Sequence, residues 1–292
     1  MATESIILII LLAAPGVIVT IMVLINYERY IPEYLEDNLL KHFSEQVRPE
    51  TISKRVDFSS LSALPAPVAR YLKHVLTEGQ PFISIVKINQ TGKLKTKTSS
   101  KKWLAFTAKQ LITPITPGFV WDAKIKTPFK TWLRVSDGYI AGRSIAIVDF
   151  LSTFPLTSES NVAELNTGAL YRFLAEAVWC PTALLPESGV EWTPISDASA
   201  LATLTDGAHT VSLEFHFNDK NEVFKIYTNS RYQKCNDQYY STAWEGHFEN
   251  YIQQRGMRVP SYGEVGWYSD GEWKRVWKAN ITNFKFNFYA NP

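Results

Sequence analysis

Glu176 lies one helical turn after Arg172 and three residues before Trp179. That spacing allows a surface ion pair of about 0.2–0.5 kcal/mol. It also allows a desolvated carboxylate of raised pKa beside an indole, the setting of a general acid or base. The same pairing of acid and indole recurs where Asp122 follows Trp121, Glu245 follows Trp244 and Glu264 precedes Trp267. With nine Trp, 14 Tyr and 16 Phe in the chain, chance produces such neighbours too. The association also suits a polar-tipped apolar cavity. Glu176, Asp122 and Glu264 are therefore the candidate catalytic carboxylates. His216 and His247 sit on different candidate strands, and if they met in space they would offer a metal or acid/base pair. Exposed, functionless histidines are the plainer alternative for both.

Other chemistry is excluded by what the chain lacks. It carries no G-x-S-x-G elbow, Walker loop, strand-borne G-x-G-x-x-G, H-E-x-x-H or paired C-x-x-C, so the well-marked hydrolase, nucleotide and zinc classes lose support. No cofactor and no metal are expected. Cys180 and Cys235 cannot form a disulfide framework; they read as unpaired thiols, with a single bridge between them as the alternative. Lys+Arg 30 against Asp+Glu 28 gives a net charge of +2, too little basic excess for a dedicated nucleic-acid binder. Lys93, Lys95, Lys97, Lys101 and Lys102 nevertheless form a local cluster. Alternate lysines there protect an exposed sheet edge or contact anionic headgroups, at about 1 kcal/mol per lysine.

The elements that must position these groups begin with an anchor. Residues 6–25 read IILIILLAAPGVIVTIMVLI, uncharged, and as a helix they span about 30 Å. The leader MATES has no Lys or Arg and no small-x-small site follows, so an uncleaved single-pass span over 1–26 is expected. Tyr27 and Tyr30 suit an interfacial belt, and Arg29, Lys41 and Arg48 after the span place the C-terminal region weakly on the cytoplasmic side of the membrane. Residues 27–58 read as a partly helical juxtamembrane connector, with Leu35, Leu39, Leu40 and Phe43 at helical spacing.

Residues 59–292 read as one antiparallel β domain. A helix is predicted near 66–77, with its apolar stripe on Val68, Tyr71, Leu72, Val75 and Leu76. Val211, Leu213, Phe215 and Phe217 alternate with polar residues and lead through Asn218–Asn221 into a second strand from Val223, a hairpin. Short runs at 82–90, 103–111, 118–126, 131–136, 138–148, 200–205, 241–252, 263–268 and 273–288 extend the meander. One helix, 162–180, interrupts it, with Leu165, Ala169, Phe173, Ala177 and Val178 at helical spacing, Asn161 as a candidate cap and Pro181 at its end. The fold class is mainly β (α+β): an N-terminal transmembrane helix, then a strongly curved antiparallel sheet wrapped around an apolar helix.

The segments LPAPVARYLKHVL, FVWDA (119–123), ELNTGALYRFLAEAVWCPTALLP (164–186) and RVPSYGEVGW (258–267) resemble a bacterial family known only as a domain of unknown function, from about residue 60 onward. Members often carry Tyr where this chain has Cys180, so the resemblance implies no thiol chemistry. The curved-sheet reading is similar to the half-barrel of bacterial lipoprotein carriers, which hold acyl chains between sheet and helices. Fold does not fix function. The leading expectation is a binding module for a lipid or other hydrophobic small molecule. Trp121, Phe173, Trp179, Phe215 and Phe217 line its cavity, and Glu176 or Arg172 forms its polar end. Membrane lipids are the expected partners. An enzyme acting on a hydrophobic substrate in the same cavity, and a ligand-free structural or assembly factor, are the alternatives.

Overall fold

A computed structural model describes residues 31–127, 131–150, 154–235 and 238–289. The apolar run 6–25 lies outside them, and among the described residues no helix is long and apolar enough to cross a membrane.

Strands β1 (Ile83–Leu94), β2 (Leu104–Thr113), β3 (Gly118–Lys126), β4 (Trp132–Ile140), β5 (Arg143–Phe150) and β6 (Phe154–Ser160) form one meander. A second comprises β7 (Val190–Ser196), β8 (Ser199–Asp206), β9 (His209–Phe217), β10 (Val223–Cys235), β11 (Gln238–Gln254), β12 (Met257–Ser269) and β13 (Glu272–Phe288). All 13 join in one antiparallel sheet of order β6-β5-β4-β3-β2-β1-β13-β12-β11-β10-β9-β8-β7. Every neighbouring pair is sequential except β1–β13, which fuses the two meanders along eleven paired positions from Ile83↔Phe288 to Leu94↔Trp277. Helix α4 (Ala163–Glu176) connects the two outer strands and packs on β4 and β5 at one side and on β9 and β10 at the other. Contact with both halves requires the sheet to curl round the helix, as the apolar character of 162–180 implies.

The curl gives the sheet an inner face, and period-two alternation fills it. Val86 and Ile88, Ala123 and Ile125, and Val211, Leu213 and Phe215 are all buried with alternate neighbours more exposed, whereas Val120, between inward Phe119 and Trp121, is itself covered on the outer face. Leu170 and Leu174 of α4 are fully buried among them, each burial being worth about 1.5–3 kcal/mol. Helix α3 (Ala66–Val75) carries Pro67 in its first turn and closes one end through buried Val68, Tyr71, Leu72 and Val75. Two earlier helices, α1 (31–46) and α2 (Pro49–Ile52), precede it. Leu35 and Leu39 of α1 pack against Leu111, Val120 and Ile140 on the outer face of β2–β4, while Phe43 stacks on Tyr289 at 6.3 Å.

Several expectations change. The run 138–148 is two strands, broken at Ala141 and Gly142, both at positive φ (53° and 77°) as a two-residue hairpin turn requires. Helix α4 stops at Glu176 and the chain continues in short 3-10 turns over Ala177–Trp179, Pro181–Leu184 and Pro186–Ser188. Asn161 is not the cap: Val162 holds that position without a side-chain bond, and Asn161 sits at φ 55° with its Oδ1 accepting from Asn166 Nδ2 at 3.3 Å. The lysine cluster lies in mid-sheet and not at an edge, Lys93 near the end of β1 and the other four in the β1–β2 connection. Cys180 is buried and Cys235 exposed, and both are free.

Candidate functional site

Between α4, the turn after it and strands β3 and β10–β13 lies a cavity of about 280 Å³. Its walls are mostly aromatic: Trp121, Trp179, Trp244, Trp267 and Trp277, with Phe248 and Val265. Gly263 opens the space, since a side chain there would grow toward Trp179 and Phe248, whose rings are 3.5 and 3.6 Å from the position of its Cβ.

Polar chemistry enters from α4. Arg172 Nε donates to Glu176 Oε1 at 2.7 Å, and Arg172 Nη1 donates to Asp137 Oδ2 of β4 at 2.5 Å. The far oxygen of Glu176 accepts from Gln110 Nε2 at 2.5 Å. Gln110 Oε1 in turn accepts from Gln90 Nε2 at 3.0 Å, and Gln90 Oε1 from Trp121 Nε1 at 2.7 Å. Gln90 and Gln110 are buried, so this chain of donors and acceptors satisfies groups that would otherwise cost about 1–3 kcal/mol each. The Arg172 guanidinium also lies over Phe119 and Trp121, 4.6 and 5.2 Å from the ring centres. Burial works against the Arg172 charge, and Glu176 and Asp137 more than restore it. Burial raises the Asp137 carboxyl above its ordinary range although Arg172 pulls it down.

Arg231 faces this assembly from β10. The β10–β11 register shifts between Thr228 and Arg231, and such a bulge re-aims the side chain that follows. Its guanidinium lies over Trp244 and Trp267 at 4.4 and 5.4 Å, and Nη2 donates to the Gly168 carbonyl at 3.1 Å. Burial first, then repulsion from Arg172, pushes Arg231 down to about 10 despite the pull of Asp137 and Glu176.

Of the residues singled out by sequence, Trp121, Arg172, Glu176, Trp179 and Glu264 border the cavity. Asp122 does not. It follows Trp121 in a strand and so faces outward, paired with Arg134 by two bonds of 2.6 and 2.7 Å. The Glu264 carboxylate also points outward: it accepts from Tyr262 Oη at 2.5 Å and Arg275 Nη1 at 2.6 Å. Burial pushes this carboxyl up, but those two donors outweigh it and hold Glu264 below the ordinary range. Phe173, Phe215 and Phe217 are core residues away from the cavity. Phe215 packs on Trp192 at 5.2 Å and Phe217 on Tyr71 at 5.5 Å. His216 and His247 do not meet, because Lys225 is paired with both and stands between them. Among the described residues no three His, Cys, Asp or Glu form a metal cluster. Trp244 and Phe248 had a legible signal, their alternation with Glu245 and His247. Arg231 had none, since its place depends on the bulge.

Among solved structures, the chain is similar to a LolA superfamily protein from Nitrosomonas europaea (9% identity, 80% of this chain and 94% of that one, TM-score 0.42). It is also similar to a putative outer membrane lipoprotein-sorting protein domain from Vibrio parahaemolyticus (10% identity, 70% and 85%, TM-score 0.39). No curated protein matches it. The model of the family of unknown function DUF6920 matches residues 62–286, and the chain belongs to that family.

Proposed function

We propose that this protein is a membrane-anchored binding module that holds a lipid or another hydrophobic small molecule between its curved sheet and α4. The observation that carries this is the cavity of about 280 Å³ walled by five tryptophans, close to the lower end of the ~300–1,000 Å³ typical of ligand pockets. That size suits one chain or one compact apolar body. Sites of this kind combine apolar walls with a few fixed polar groups, and Arg172, Glu176 and Arg231 supply them here. Binding is favoured over acid/base catalysis because Glu176 is engaged at both oxygens by Arg172 and Gln110, and the carboxylates of Asp122 and Glu264 lie outside the cavity. The uncharged run 6–25 supplies the anchor.

Gly263→Leu tests the reading. Leu suits a strand, its Cβ meets only ordinary contacts at 3.5 Å, and the rest of the side chain fills the cavity. Native mass spectrometry of the full chain released from nanodiscs is expected to show a stoichiometric small molecule with the wild type. The variant should retain at least tenfold less while keeping its thermal midpoint within a few degrees. An empty wild type, or equal retention by a folded variant, would overturn it.

The proposed cytoplasmic placement has its own test. Burial, with Glu176 adding to it, pushes the Cys180 thiol far above its ordinary value, whereas Cys235 is exposed. A membrane-impermeant maleimide is expected to leave intact spheroplasts unlabelled and, after permeabilisation, to add one label per folded chain. Labelling of Cys235 in intact spheroplasts would put the domain on the other side.

A further inference from the structure

The tryptophan cavity does not end blindly. Trp267 and Val276 border both it and an open basin of about 850 Å³. Among the described residues, Lys95, Lys97 and Lys274 stand in the basin against Asp270, a formal excess of +2, and Lys234 also borders it. An adjoining hollow adds Lys101 and Arg275, the latter engaged by Glu264 at 2.6 Å. Edge protection does not account for these lysines, because β1 and β2 lie in mid-sheet with partners on both sides. The turn over 95–103 therefore bears mutual repulsion that an anion would relieve.

Apolar walls and a contiguous basic basin together define one kind of molecule.

Building on the binding function proposed above, we infer that the ligand is an anionic amphiphile, its chain among the tryptophans and its acidic head, of phosphate or carboxylate type, in the lysine basin. The head end is solvated and screened by salt, and the chain end is dry. Lys95 and Lys97 come from the β1–β2 turn and Lys234 from β10, so the basin is shaped by the strands that also form the cavity.

The test uses the full chain in phosphatidylcholine nanodiscs, with tryptophan emission and calorimetry as readouts. Octyl phosphate, octanol, octyltrimethylammonium and inorganic phosphate are titrated, each corrected for partition into empty nanodiscs. At low salt octyl phosphate is expected to bind about 25-fold more tightly than octanol, at about fivefold per lysine for Lys95 and Lys97, and octyltrimethylammonium more weakly than either. That ratio should fall toward one in the double variant Lys95→Gln/Lys97→Gln and shrink in 0.5 M salt. Equal binding of octanol and octyl phosphate by the wild type would overturn the acidic head and leave the apolar cavity standing. Failure of both octyl probes to bind would overturn the cavity function itself. If inorganic phosphate matches octyl phosphate and both survive Gly263→Leu, the basin is an anion site separate from the cavity and the amphiphile is wrong.

Discussion

Arg172→Met is expected to lower the free energy of unfolding by about 3–5 kcal/mol, the cost of removing one partner from a buried ion pair. Arg172 serves two carboxylates at once, Asp137 and Glu176, and the three side chains are only 18, 30 and 13% exposed. Methionine keeps most of the stem, so the loss is mainly electrostatic, the guanidinium's place over Phe119 and Trp121 included. Arg231 is close enough to offset part of it, although no carboxylate is bonded to it. The sign with pH separates this from a packing defect. Burial already raises Asp137 above its unfolded value, and losing Arg172 raises it further. A raised carboxyl favours the fold at low pH and costs stability as pH climbs through its folded pKa. The deficit against wild type should therefore be full near neutrality and shrink as the solution is acidified toward pH 4. Urea unfolding at a series of pH values measures it, and a deficit unchanged with pH would assign the loss to packing.

What sequence made legible follows from how locally each feature is encoded. The inner strands alternate with period two because one face is buried, and 122–126 and 209–217 show it plainly. The two strands that the alternation missed, β6 and β7, are the two edges of the sheet. An edge strand pairs on one side only, and each of these contains a proline, Pro155 and Pro194; in β7 only Val190 is buried. The pairing of β1 with β13 joins segments some 190 residues apart, and no local pattern specifies it. The site divides the same way. Trp121, Trp179, Arg172 and Glu176 were within reach because they lie on one strand and on one helix with its following turn. The acid-beside-tryptophan motif misled, because neighbours in a strand face opposite ways. Trp121 enters the cavity and Asp122 leaves it; Trp244 enters and Glu245 leaves. Phe215 and Phe217 were rightly inward-facing, but inward at β9 means toward Trp192 and Tyr71, beyond the reach of the cavity.

The β1–β13 seam carries the other large expected effect. Gly92→Ala adds one methyl group, yet its carbon would stand 2.2 Å from the Lys278 carbonyl oxygen and 2.7 Å from the ring of Phe106. Real Cβ atoms do not approach that closely, so something must move. The oxygen belongs to the backbone of β13, next to Ala279, which is paired with Gly92. Phe106 is wedged between Trp121 and Trp277, at 5.6 and 5.9 Å, both walls of the cavity. Neither neighbour yields cheaply, and the expected cost is about 3 kcal/mol, at the upper end for overpacking. Hydrogen exchange should quicken selectively at 89–94 and 277–281, because this seam is where the two meanders pair within the sheet. The same substitution at Gly168 supplies the contrast. That glycine lies within α4, a Cβ there meets nothing within 4 Å, and alanine is favoured over glycine in a helix by up to about 1 kcal/mol. Opposite signs for one chemical change at the two positions would show that the seam, not glycine content, limits stability. A Gly92→Ala protein as stable as wild type would mean that β1 and β13 can separate without loss, and the halves would then be held by α4 and by bonds such as that from Tyr139 Oη to Asp206 Oδ2.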